Sequence, residues 1–139
     1  MDASSLSIAW RNSIWRSARC SRRLSSSLTG TQRCTGTDAP VEDINPIPSF
    51  YASVSRRAKD GSVFYPDQRM SRMEALKSYT INAAFADFDE GIKGSLRAGK
   101  LADITVFSKD LMTVPEDQIP TASVLYTIVG GKVQYSALR

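Results

Sequence analysis

The chain has no histidine and only two cysteines, Cys20 and Cys34, in 139 residues. The first absence removes the side chain most used for general acid–base work near neutral pH and for binding catalytic metals. The two together leave a Cys/His zinc site short of the four ligands it takes. Two cysteines do not make a disulfide-rich scaffold; a single 20–34 bridge is open, and two unpaired thiols in a reducing compartment are the plainer expectation. No apolar run approaches the ~20 residues that a membrane-spanning helix needs, so no membrane partner is expected. Acidic residues are nearly missing from the first third: in residues 1–33, six arginines face one acid, Asp2.

What is present divides into two compositions. Residues 1–33 hold nine serines alongside those arginines, with Ile8, Trp10, Ile14, Trp15 and Leu24 scattered among them. Ile8, Ile14 and Trp15 could share one helical face. The segment reads as a disordered or non-native leader, since its low apolar content does not offset chain entropy. A mitochondrial-type presequence and a basic arm are the alternatives. The arm lacks interleaved aromatic platforms, and no nucleic-acid partner is expected. Absent a functional leader, the compartment is expected to be cytoplasmic. Beyond residue 33, twelve basic groups face thirteen acidic ones, so the basic balance belongs to the first segment alone.

From about Thr35 the chain carries ordered structural punctuation. Asp38-Ala39-Pro40 ends whatever strand precedes it, because a residue before proline is pushed out of the helical region. Ile47, Phe50, Tyr51 and Val54 recur at helical spacing and predict a helix ending near Arg56-Arg57, where cations suit the macrodipole. Ser71 and Glu74 form a capping box at the start of a helix carrying Met73, Leu76, Lys77 and Tyr79. A second short helix over Ala83–Ala86 would be capped by Thr80 or Asn82 and stop before Gly91. Strands are expected at 102–107, 124–129 and 132–135, the last two joined by Gly130-Gly131 in a type I′ hairpin.

The chemical candidates are few. An aspartate at a strand end, Asp38, can bind a metal or move a proton, although a residue in this pattern is more often a turn or cap. Glu42 could pair with it or be solvated, and the solvated reading is the better one. Ser71 and Glu74 might suggest a nucleophile and base, but capping accounts for both. The glycines do not open a helix and so form no phosphate loop. Asp103 suits a structural hydrogen bond.

Several runs together resemble one family. They are Gly36 to Glu42, Met70 to Leu76, Ser78 to Ala84, Lys93 to Val106 and Ile128 to Val133. In this order they look like the C-terminal end of an amidohydrolase of the family 3 type, over about residues 35–135. The resemblance implies an α/β fold: the C-terminal end of a (β/α)8 barrel, with its last strand and helices, followed by the C-terminal strands of a small β-sandwich. Residues 1–34 would be the leader, 35–91 the barrel end and 92–139 the sandwich share, with 99–103 a turn into the sandwich.

The resemblance also implies a metal-dependent hydrolase of carbon–nitrogen bonds other than peptide bonds, acting on a small amide-type substrate. Asp38 matches the family's carboxylate after the last barrel strand, which holds metal and takes a proton from the attacking water. The implied cofactor is a divalent metal, zinc foremost. The family's His-x-His pair and later histidines have no counterpart in this sequence. The chain is therefore expected to be a fragment, from a truncated or mis-spliced upstream region, inactive alone and holding no metal tightly. The other expectation is a non-enzymatic module that self-associates through uncovered sandwich edges.

Overall fold

The computed structural model describes residues 33–37, 40–41, 43–58 and 60–137. Residues 1–32 of the Ser/Arg-rich leader, Asp38 and Glu42 lie outside these residues.

Helix α1, Pro46–Ser55, begins at Asn45, whose side chain accepts a hydrogen bond from the Ile47 amide at 3.1 Å. Pro46 follows at the first helical position, where its missing N–H leaves no bond unmade. Ile47, Phe50 and Val54 are buried, which is the predicted face. The helix stops one residue before Arg56, so no cation lies in its last turn. Arg56 instead takes a left-handed conformation, φ 54°, and donates its amide to Ala52 O. Its guanidinium then lies 4.2 Å from the centre of the Phe64 ring.

Helix α2, Arg72–Tyr79, opens with the predicted capping box. Ser71 Oγ accepts from the Glu74 amide at 3.3 Å, and Glu74 Oε2 accepts from the Ser71 amide at 2.8 Å. Its buried face includes Tyr79, as the sequence suggests, together with residues the sequence does not single out. Ala75, Ser78 and Tyr79 point inward, while Met73 is half exposed. Leu76 packs partly buried against the core beside the small, fully buried Ala75 and Ser78.

Helix α3, Ile81–Ala86, follows directly. Neither expected cap operates. Thr80 makes no capping bond and donates its hydroxyl back to Leu76 O at 2.8 Å. Asn82 donates its side-chain amide to Arg33 O at 2.9 Å. Tertiary and preceding-turn partners have won both side chains.

Three antiparallel strands complete the chain: β1 Ile104–Phe107, β2 Val124–Val129 and β3 Lys132–Ser136, in that spatial order. Ile104 pairs with Ile128, Val106 with Tyr126 and Thr127 with Tyr135. Gly130 and Gly131 sit at φ 57° and 79°, the two positive values a type I′ hairpin needs. A turn closed by the Lys100 amide on Arg97 O leads into β1.

One core joins the helices to the sheet. It contains Ile47, Phe50, Val54, Ala75, Tyr79, Phe107, Leu111 and Ile119. Arg72 reinforces it, donating to Leu111 O at 3.0 Å from the start of α2. The fold is thus a mixed helix and strand arrangement in which the end of β1 and the 108–121 connection pack on α1 and α2. Strand β3 stands at the sheet edge with Val133 and Tyr135 exposed. Among the described residues no helix is long and apolar enough to cross a membrane.

Candidate functional site

Asp38, the one predicted catalytic and metal-binding residue, lies outside the described residues, as does Glu42. The residues that lead into it are held by α2 and α3. The Thr35 amide donates to Ser78 O at 3.1 Å, and the Thr35 hydroxyl donates to Ser78 Oγ at 2.8 Å. Ser78 in turn donates to Ala75 O at 2.7 Å. With the Asn82 bond to Arg33 O, two residues four positions apart on the helices hold Arg33 and Thr35, on either side of Cys34. Ser78 is fully buried, and its bond to Ala75 O is buried with it, whereas the Asn82 bond to Arg33 O is exposed. Residues 33–37 form no strand ladder among the described residues. Cys34, inside this grip, is disulfide-bonded, which overturns the expectation of unpaired thiols.

The remaining polar candidates have structural partners. Glu74 is held below the usual carboxylate range by the Ser71 amide first and then by the Ser71 hydroxyl. A base tuned downward and committed to a cap is a poor proton acceptor, so Ser71 and Glu74 are not a nucleophile and base. Asp103 is buried, and its Oδ1 accepts from the Gly130 amide at 2.8 Å. That is the structural bond expected of it.

Two features escaped the sequence reading. Lys93 is buried between two carboxylates, 2.7 Å from Asp89 Oδ2 and 3.3 Å from Asp87 Oδ2. Lys100 Nζ caps the carbonyls of Glu90, at 2.6 Å, and Lys93, at 3.2 Å. Together they tie the 87–101 connection to itself. The Asp87-x-Asp89 pair with Lys93 four residues on was the available signal. Tyr79 is the other: burial in the core pushes its phenol above the ordinary value, and the Ser49 side chain pulls the other way.

A metal would find little here. Among the described residues no three carboxylate, thiol or imidazole groups come together. The sequence supplies no histidine, and a catalytic zinc usually takes three protein ligands. Asp38 alone does not fit that requirement.

Comparison with known proteins supplies the context. The family model described as "Amidohydrolase family" matches residues 13–135, beginning upstream of the motifs that carry the resemblance. "Protein LONG AFTER FAR-RED 3" of Arabidopsis thaliana is 42% identical over 101 residues, covering 72% of this chain and 17% of that protein. "N-substituted formamide deformylase" of Arthrobacter pascens is 30% identical over 106 residues, covering 76% of this chain and 20% of that protein. The chain thus spans about a fifth of the length of the curated relatives it matches. A crystal structure of an amidohydrolase from Thermotoga maritima superimposes with a TM-score of 0.48 at 21% identity, covering 71% of this chain and 21% of that one.

Proposed function

Because this chain belongs to the amidohydrolase family, we propose that it is the C-terminal part of a hydrolase that cleaves carbon–nitrogen bonds other than peptide bonds. The family match over residues 13–135 carries this reading. The relative named as a formamide deformylase supports the amide-type bond as the target.

In this reading α1, α2 and α3 are late helices of a (β/α)8 barrel, and β1–β3 are the C-terminal share of a composite β-sandwich. Asp38 is a metal-binding carboxylate beyond the last barrel strand, with a divalent metal, zinc foremost, supplied to it by the intact site. The metal would supply Lewis-acid activation of water. This chain's own contribution is to hold the segment that leads to Asp38. Ser78 and Asn82 supply that hold from the helices. Without the histidines the chain neither retains metal nor hydrolyses substrate by itself.

Zinc titration by calorimetry tests the metal half of this reading. The purified chain should show only weak uptake, typical of solvated carboxylates. Tight stoichiometric binding that disappears in Asp38→Ala would overturn it.

A second reading rests on β3. Val133 and Tyr135 are exposed there, and an edge strand with unpaired backbone groups can template pairing. On this reading the chain is a non-enzymatic module that associates with itself. Sedimentation separates the two: a stable monomer excludes the module, and a concentration-dependent dimer abolished by Val133→Lys supports it.

A further inference from the structure

The loop between α1 and α2 carries a chemical hazard and what restrains it. Asp60-Gly61 is the one Asp-Gly pair in the sequence, and there is no Asn-Gly pair. Such a pair can isomerise. The Gly61 nitrogen bonds to Asp60 Cγ, and one carboxyl oxygen leaves as water with the amide proton and the carboxyl proton. Water then reopens the cyclic imide. Attack at the Asp60 backbone carbonyl leaves the chain running through Cγ, which is an isoaspartyl linkage. Glycine promotes the first step because no Cβ shields its nitrogen. Here Gly61 has nothing within 4 Å of where a Cβ would stand.

The folded turn opposes each requirement of that step. Asp60 Oδ1 accepts from the Ser62 hydroxyl at 2.6 Å and from the Ser62 amide at 2.9 Å. These bonds turn the carboxylate toward Ser62. They also hold it below its ordinary range, the hydroxyl contributing most, so the protonated form that loses water is scarce. The Gly61 amide donates to Ala58 O at 3.0 Å, which opposes loss of its proton. Around the turn, Arg57 bridges to Val63, and the Phe64 amide donates to Arg56 O at 3.0 Å. These bonds keep the turn closed although Asp60, Gly61 and Ser62 are all exposed.

The geometry points to Asp60-Gly61 as an isoaspartate-forming site whose reaction is restrained by the Ser62 side chain. Ser62 touches the reacting carboxylate without entering the reaction. An isoaspartyl linkage would add a backbone carbon to the turn and free a carboxylate from it. The Arg57–Val63 bridge and the Arg56–Phe64 stack would lose their register. The inference is independent of the hydrolase reading, since nothing in it involves Asp38.

The test is ageing of the purified chain in mildly acidic buffer at physiological temperature. Isoaspartate is then quantified by peptide mapping and by enzymatic carboxyl methylation. Wild type, Ser62→Ala and Asp60→Glu are compared, each folded and in urea. Asp60→Glu marks the background, because its longer side chain does not close the same ring. Folded Ser62→Ala should form isoaspartate at position 60 severalfold faster than folded wild type. The ratio of folded to urea rates should rise toward one in that variant. The inference is overturned if folded Ser62→Ala ages no faster than folded wild type. It is equally overturned if another aspartate outpaces Asp60 in that variant.

Discussion

Asp103 and Gly130 are joined by a 2.8 Å hydrogen bond from the hairpin amide to the buried carboxylate. The neighbouring Gly131 amide donates to Ala102 O at 3.0 Å. Both amides of the β2–β3 turn are therefore taken by the two residues that precede β1. The turn closes the sheet onto its own first strand. Removing the carboxylate leaves the Gly130 amide without this acceptor. Asp103→Ala should destabilise the fold by about 1.5–3 kcal/mol, the range for a hydrogen bond to a charged group. Asp103→Asn keeps an acceptor oxygen and should lose less. Urea unfolding measures both, and equal losses would contradict the assignment.

Gly94 lies against α3 at φ +83°. A Cβ built there meets Ala84 Cβ at 2.7 Å, Ile81 Cα at 3.0 Å and Thr80 O at 3.1 Å. Two of these are backbone atoms and do not move aside cheaply. Gly94→Ala should cost about 1–3 kcal/mol for overpacking, in addition to left-handed strain. Gly99, at φ +88°, has nothing within 4 Å, so Gly99→Ala should show only the strain, about 1–2 kcal/mol. Paired thermal melts of the two variants check the difference.

The bonds from Ser78 and Asn82 to residues 33–35 should be visible in hydrogen exchange. In Ser78→Ala the Thr35 hydroxyl loses its partner, and the Thr35 amide should exchange several times faster. The α2 capping box, at the other end of the helix, should be unaffected. The loss in global stability should be about 1 kcal/mol, that of one hydrogen bond. Unchanged exchange at Thr35 would show that the grip does not hold the segment.

Two groups set opposite pH limits. Glu74 has a lowered folded pKa, so its contribution is present above the ordinary value of 4.5 and is lost as pH falls through the folded value. Glu74→Gln retains a capping side chain and should flatten the acid limb of a helicity titration. Tyr79 has a raised folded pKa. The unfolded phenol ionises first, at its ordinary 10.0, so stability falls as pH rises beyond that value. Tyr79→Phe should flatten the alkaline limb and leave the acid limb in place.

Local chemistry was readable from the sequence where the partners are close in the chain. The Ser71–Glu74 box spans three residues and the Gly130-Gly131 turn is a dipeptide, and both stand as expected. The Ile47, Phe50 and Val54 face of α1 also stands, because large apolar residues carry it. On α2 the sequence points to Tyr79, which is buried, but not to Ala75 and Ser78, which are small and give almost no periodic signal. The caps expected from Thr80 and Asn82 failed for a different reason. Asn82 bonds Arg33, 49 positions away, and no spacing rule reports such a partner. The same holds for Thr35 and Ser78, which are 43 apart. Asp38 stood out through its motif context, since Asp-Ala-Pro alone reads as a turn.

The chain belongs to the amidohydrolase family, and we propose that it has no working site by itself. Amide hydrolysis by the purified 139-residue chain, assayed with N-substituted formamides in the presence of zinc, tests it most directly. No turnover above the metal-only background, with identical results for Asp38→Ala, is the predicted outcome. Turnover by the wild-type chain that Asp38→Ala abolishes would contradict it.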